Sequence, residues 1–166
     1  MNDLPVNVSP SRSRQPLGGT PPVSAYFMDD NAYNREGDAF WVRGESRADV
    51  MLRAPVQSTP AAGGDQLRPL RIPRMEIRLE TGPKPNRVTI RTGAATQVID
   101  VPASDARTLV VPMGEGLAYK PYPDNPTNYV YAISIESATG FIPLFETGGR
   151  DNRVLGIFVK MTPLYE

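Results

Sequence analysis

The chain has 166 residues, in which 18 Lys and Arg balance 18 Asp and Glu, so its formal net charge is zero. This length suits one domain that buries its own core. The charge balance argues against nucleic acid as a partner, because nucleic-acid-binding domains carry a basic excess.

Histidine and cysteine are both absent from the sequence. Their absence excludes disulfides, thiolate metal sites and the usual His-dependent catalytic triads. We therefore expect no cofactor, no metal and no enzymatic activity. The sequence also lacks a run of 18 apolar residues, so we expect no membrane insertion by this chain.

The N-terminal stretch, residues 1–22, is rich in Pro, Ser and Arg. Its prolines break any helix or central strand, so the sequence predicts an arm that is flexible or is ordered by a partner. One β-sandwich domain is predicted to follow over residues 23–166. Because an arm of this kind can pair with a neighbour's sheet edge, self-association through residues 1–22 is one hypothesis.

Beyond the arm, apolar residues recur with a period of two, which is the period of a half-buried strand. In residues 74–80, for example, Met75, Ile77 and Leu79 alternate with charged residues. A short strand is predicted at 24–28. Similar patterns predict strands at 39–43, 48–55, 74–80, 87–92, 96–102, 107–112, 128–137, 141–146 and 154–160, which gives about nine strands in all.

Short strands separated by Gly and Pro turns, without an amphipathic helix, are typical of an all-β antiparallel sandwich with jelly-roll or immunoglobulin-like topology. The strand at 154–160 is expected to be central, because Leu155, Ile157 and Val159 alternate regularly. Residues 58–66 and 113–127 are predicted loops by composition.

A candidate binding site combines aromatic rings, which can stack on sugars, with planar polar groups, which can hydrogen-bond hydroxyls. The candidate ligand-binding residues are Trp41, Arg43, Tyr119, Tyr122, Asp124 and Asn125. A long loop between strands is often functional. The alternative is that Trp41 and Tyr129 belong to the core and that the loop tyrosines pack on prolines to hold the loop rigid.

Charged residues have structural explanations too. The exterior arginines could form an anion-binding face, but nearby Glu76 and Glu80 favour cross-strand ion pairs. Acidic loops around 29–38, 124–125 and 151–152 offer oxygen ligands for calcium. They lack the EF-hand spacing, and Asx residues form turns on their own.

Five segments carry a family resemblance: AYFMDDNAYNREGDAFWVRGESRADVMLR (25–53), LRIPRMEIRLETGPKPNRVTIR (70–91), VVPMGEGLAYK (110–120), YAISIESATGFIP (131–143) and GRDNRVLGIFV (149–159). Together they resemble the soluble β-sandwich domain that follows the membrane region of certain bacterial multi-pass glycosyltransferases and other cell-envelope proteins. The resemblance spans about residues 25–162 and includes no catalytic motif. It implies an extracytoplasmic or cell-surface accessory module that binds or positions glycan without catalysis.

A second hypothesis is a structural subunit of a self-assembling filament, shell or capsid-like assembly that uses the N-terminal arm. The zero net charge and the jelly-roll-like strand pattern agree with it. The two hypotheses differ in partner, which is a polysaccharide in the first and another copy of the chain in the second.

Overall fold

The computed structural model describes residues 14–166. The strands are β1 (Gln15–Pro16), β2 (Ser24–Phe27), β3 (Ala39–Arg43), β4 (Ser46–Arg53), β5 (Val56–Thr59), β6 (Gln66–Pro69), β7 (Arg74–Glu80), β8 (Asn86–Thr92), β9 (Thr96–Val101), β10 (Ala106–Pro112), β11 (Leu117–Tyr119), β12 (Asn128–Ser137) and β13 (Leu155–Leu164). A single helical turn, α1 (Pro143–Glu146), is the one helix in this range. None of the described residues therefore forms a helix of the length and apolarity that a membrane crossing requires.

Two antiparallel sheets face each other. The seven-stranded sheet has the order β1-β2-β4-β12-β8-β9, with β11 beside β12, and the four-stranded sheet has the order β10-β7-β13-β3. Strands β5 and β6 form a separate hairpin. The all-β antiparallel sandwich predicted from the sequence is confirmed, with more strands than expected.

One hydrophobic core fills the space between the sheets. Strand β7 illustrates how the sequence builds it, since Met75, Ile77 and Leu79 are buried while the charged residues between them point outward. Burial of these side chains drives the two sheets together. Strand β13 lies between β7 and β3, which confirms its predicted central place.

The strand predicted at 141–146 is wrong. Phe141 makes a single bridge with Leu155, and the chain then turns into α1. Proline at the first helical position is pre-organised for a helix, and the Glu146 carboxylate accepts the Ile142 backbone N–H at 2.8 Å. The local preference of Pro143 therefore overrides the apolar pattern.

Strands that the sequence did not predict flank one predicted loop, at 58–66, and interrupt the other, at 113–127. β5 and β6 pair around residues 60–65, and β11 lies inside the segment predicted as a loop at 113–127. All three strands are mostly exposed, so they lack the alternation of buried and exposed positions that identifies a strand in a sequence.

The predicted arm falls partly within the described range, and residues 1–13 lie outside it. From Gln15 onward the chain packs on the domain: β1 pairs with β2, and Leu17 and Val23 are buried. The Tyr165 hydroxyl donates to the Pro21 carbonyl at 2.6 Å, and burial raises the pKa of Tyr165 above its usual value.

A buried amide ties the two sheets together at one end. The Asn86 side chain, at the start of β8, donates to the Ser137 hydroxyl at 2.7 Å and to the Gly156 carbonyl at 3.1 Å. Its own carbonyl accepts the Ala138 and Thr139 backbone N–H groups at 3.0 and 3.1 Å. Gly156 lies at a bulge in β13, where a Cβ atom would collide with Ser137.

We expect Asn86→Ala to lower the free energy of unfolding by about 2–4 kcal/mol, because it removes several buried hydrogen bonds at once. Urea unfolding followed by circular dichroism measures the change. Asn152→Ala is the matched control, since Asn152 is exposed and should change stability by less than about 0.5 kcal/mol. Equal stability of the two variants would show that the amide does not hold the sheets together.

Candidate functional site

The outer face of the seven-stranded sheet carries an exposed apolar surface. The outward face of an antiparallel sheet is normally polar, yet Met28 is 59% exposed, Met51 38%, Leu117 67% and Tyr119 50%. Exposed apolar residues that cluster in this way often mark a binding surface.

Four neighbouring strands bring this surface together. One row of outward residues crosses β2, β4, β12 and β11, because Ser24 pairs with Arg53, Arg53 with Val130 and Val130 with Leu117. In the next row, Tyr26 pairs with Met51 and Met51 with Ala132. Directly opposite side chains on adjacent strands lie close enough to touch.

Strand β11 is positioned by the turn before it. Gly116 has a φ of +75°, a conformation that favours glycine. A Cβ atom there would lie 2.7 Å from the Tyr131 ring. This close approach brings Leu117 and Tyr119 beside the start of β12.

The result is a groove of about 410 Å³, lined by Tyr26, Met28, Met51, Arg53, Leu117, Tyr119 and Val130. Two further hollows of about 420 and 350 Å³ adjoin it, and both share Met51 with it. The three hollows make an open trough across the sheet. Binding pockets for small ligands have volumes of about 300–1,000 Å³ and are lined mainly by apolar and aromatic side chains.

Arg53 is the charged side chain in the lining of the groove. Its guanidinium carbon lies 5.6 Å from the centre of the Tyr26 ring, within the range of a cation–π contact. It forms no ion pair with any residue between 14 and 166.

Several other strand arginines do form ion pairs, although not those expected. Arg87 on β8 pairs with Asp100 on β9 at 2.8 Å, and its hydrogen bonds lower the pKa of Asp100. Arg91 pairs across strands with Glu136 at 3.0 Å. Glu80, by contrast, pairs with Arg78 of its own strand.

The predicted ligand-binding residues are not brought together. Trp41 lies on the outer face of the four-stranded sheet, half-buried against Phe158 and Phe141, with ring centres 5.0 and 5.8 Å away. Arg43 ends the same strand. The opposite outer face holds Tyr119, so the sandwich separates Trp41 from Tyr119.

Only Tyr119 of the predicted set lines the groove. Tyr122, Asp124 and Asn125 are exposed in the loop after β11, where the Asn125 N–H donates to the Tyr122 carbonyl at 3.0 Å. Whether any of the predicted residues binds a ligand stays a prediction.

The sequence prediction missed Tyr26, Met28, Met51, Arg53, Leu117 and Val130. A signal was present in β4, where Val50 and Leu52 are the inward residues and Met51 occupies the outward position between them. An apolar residue at an outward position of a predicted strand is therefore the feature that could have found the groove.

In two of the three acidic loops, a carboxylate has a structural role. The Asp29 carboxylate accepts the backbone N–H groups of Asn31 and Asp49, both at 2.9 Å. Asp151 pairs with Arg153 at 2.7 Å, and hydrogen bonds from Arg153 lower the pKa of Asp151. Within residues 14–166, no group of three or more acidic side chains is arranged to hold a metal ion.

No protein-family model matches this chain, and no curated protein matches it either. Among solved structures, a carbohydrate-binding module (CBM61) in complex with beta-1,4-galactotriose is similar at 9% identity and a TM-score of 0.30, covering 89% of this chain and 92% of that chain. The enzymatically active domain of bacteriophage CBA120 tailspike protein 4 is similar at 11% identity and a TM-score of 0.28. That match covers 92% of this chain and 19% of the tailspike chain. With TM-scores this low, neither likeness bears on the function of this chain.

We expect Tyr131→Phe to lower the free energy of unfolding by about 1–2 kcal/mol. The buried Tyr131 hydroxyl accepts the Ile72 backbone N–H at 2.9 Å, and phenylalanine would leave that amide without this partner. Tyr119→Phe should change stability by less than about 0.5 kcal/mol, because Tyr119 is half-exposed and its hydroxyl forms no hydrogen bond within residues 14–166. Urea unfolding of both variants separates the structural tyrosine from the groove tyrosine, and equal losses would contradict this assignment.

Proposed function

We propose that this chain is a non-catalytic glycan-binding module whose ligand lies across the groove on the seven-stranded sheet. The observation that carries the proposal is the placement of two tyrosines, Tyr26 and Tyr119, on opposite sides of the exposed and largely apolar groove. They occupy β2 and β11, three strand spacings apart, or about 14 Å at ~4.8 Å per spacing.

The chemistry of the groove suits a sugar chain. A pyranose ring has an apolar C–H face, which can stack on an aromatic ring, and a polar edge of hydroxyls. Tyrosine offers both an apolar ring and a hydroxyl. The trough is open along the sheet, so several linked sugar rings can lie in it without a chain end being enclosed.

The groove supports binding rather than hydrolysis. A glycosidase needs two carboxyl groups at a defined separation on either side of the scissile bond. The lining of this groove includes Arg53 but neither Asp nor Glu, and the two adjoining hollows add one acidic residue each, Asp49 and Glu115. The absence of His from the sequence also removes the side chain most often used for proton transfer near neutral pH.

The location of the module is part of the proposal. The resemblance to soluble domains of bacterial cell-envelope proteins supports a place at the cell surface, where polysaccharide is abundant. A glycan array made from bacterial envelope and capsular polysaccharides is therefore the appropriate first screen.

We expect Tyr26→Ala and Tyr119→Ala each to weaken binding of the best array ligand by about tenfold, the scale expected when a central aromatic contact is lost. Isothermal titration calorimetry measures the dissociation constants. Tyr122→Ala is the matched control, because Tyr122 is 70% exposed and lies outside the groove.

Two outcomes would contradict the proposal. The first is that no glycan binds at millimolar concentration. The second is that Tyr122→Ala, rather than the two groove variants, abolishes binding. That pattern would move the site to the loop predicted from the sequence.

An assembly subunit is the second candidate function, and the sheet edges favour it. Strands β9 and β10 are edge strands, and they expose Val98 and Val110 at 58% and 44%. Exposed edge strands are templates for pairing with another chain.

If the chain assembles through these edges, light scattering should show oligomers at high protein concentration. Val98→Lys and Val110→Lys should then return the chain to monomers, because a charged side chain on an edge opposes pairing. A monomer at every concentration would reject this candidate and leave the glycan proposal unaffected.

A further inference from the structure

Arg53 lines the groove on β4, which lies between β2, the strand of Tyr26, and β11, the strand of Tyr119. In the row that crosses the sheet, its neighbours are Ser24 on β2 and Val130 on β12. In the next row lie Tyr26, Met51 and Ala132. None of these neighbours carries a charge that could neutralise the guanidinium.

The lack of an acidic neighbour distinguishes Arg53 from two arginines on the same sheet that do form ion pairs. Arg87 and Arg91 point to the same outer face, and each forms an ion pair at about 3 Å with an acidic residue on an adjacent strand. Apolar neighbours reduce solvent screening of a charge, so an anion that reaches Arg53 would interact with it more strongly than at a fully solvated site.

The guanidinium group selects a particular kind of anion. Its planar fork of N–H donors matches a carboxylate, to which it can donate two parallel hydrogen bonds. The Tyr26 ring beside it, 5.6 Å from the guanidinium carbon, presents an aromatic surface next to the cation. A ligand that fits both groups has a carboxylate attached to a ring with an apolar face.

We infer that the groove binds an acidic glycan, in which the carboxylate of a uronic acid pairs with Arg53 while neighbouring sugar rings stack on Tyr26 and Tyr119. This inference rests on the proposed function and narrows its ligand class. A cation on β4, with Tyr26 beside it on β2 and Tyr119 two strands away on β11, matches a chain of linked sugars that includes an acidic residue.

The test compares acidic polysaccharides with their neutral counterparts. Polygalacturonate, alginate and hyaluronan are each immobilised beside the carboxyl-reduced form of the same polymer, and poly-glutamate serves as a charged polymer without sugar rings. Binding is measured by biolayer interferometry at several salt concentrations.

We expect at least one acidic polymer to bind on the order of tenfold or more tightly than its reduced form, and poly-glutamate to bind no better than the reduced form. Arg53→Gln should remove that difference, because it should weaken binding of the acidic form by a larger factor than binding of the reduced form. Arg53→Lys should restore part of it, because lysine keeps the charge but loses the planar fork.

Arg87→Gln is the matched control, because it removes one positive charge from the same outer face at a position outside the groove. Its affinity for the acidic polymer should equal that of the unmodified chain. The preference for the acidic form should also weaken as salt rises, and this dependence should be lost in Arg53→Gln. Circular dichroism and urea unfolding verify that all three variants fold.

Three other results would each contradict a different part of the proposal. Equal binding of acidic and reduced forms would refute the acidic ligand but leave glycan binding intact. Equal effects of Arg53→Gln and Arg87→Gln, or tight binding of poly-glutamate, would refute recognition of a uronic acid by Arg53. Binding of no polymer in either form would refute the proposed function itself.

Discussion

The hydrogen bonds of the Asn86 side chain connect the two sheets at one end of the sandwich and add a specific polar constraint to the packing of the core. This single amide contacts two strands of different sheets, through Ser137 on β12 and Gly156 on β13. Its partners are separated from it by 51 and 70 residues in sequence, so the amide fixes how the two sheets meet at one end. Burial of a polar group lowers stability unless the group forms hydrogen bonds. Both ends of the Asn86 amide form hydrogen bonds, and no described side chain has a buried polar atom without a partner.

With the sheets held in this way, strand β12 serves two purposes. Its inward residues, including Tyr131 and Ile133, belong to the core, while its outward residues Val130 and Ala132 lie along the floor of the trough. Successive side chains of a strand point to opposite faces, so stability and binding are assigned to alternate positions of one strand. Substitutions at the outward positions can consequently alter the groove without loss of the core.

The charges on the outer face of the sheet also differ between the groove and its surroundings. Most of the sheet exterior is neutralised locally by ion pairs such as Arg87 with Asp100 and Arg91 with Glu136, which agrees with the zero net charge of the chain. Exposed ion pairs contribute little to stability, so their main effect is to leave the outer face without a strong field. Against that background, Arg53 lies in the groove without an ion pair to any residue between 14 and 166, and the proposal of an acidic ligand rests on this contrast.

The sequence by itself determined the class of fold and many of the strands. The predicted strands at 74–80 and 128–137 coincide with β7 and β12, because alternation along a strand is a local property that any window of residues displays. It did not reveal β11, whose three residues are all exposed, or the helical turn at Pro143.

The sequence did not reveal the groove either. Tyr26 and Tyr119 lie far apart in sequence, and they line the same groove only because β2, β4, β12 and β11 are adjacent in the sheet. Trp41, which the sequence analysis grouped with Tyr119, lies on β3 in the other sheet. The order of strands arises from long-range pairing and core packing, which local periodicity does not encode, and so only the tertiary structure decided where the site lies.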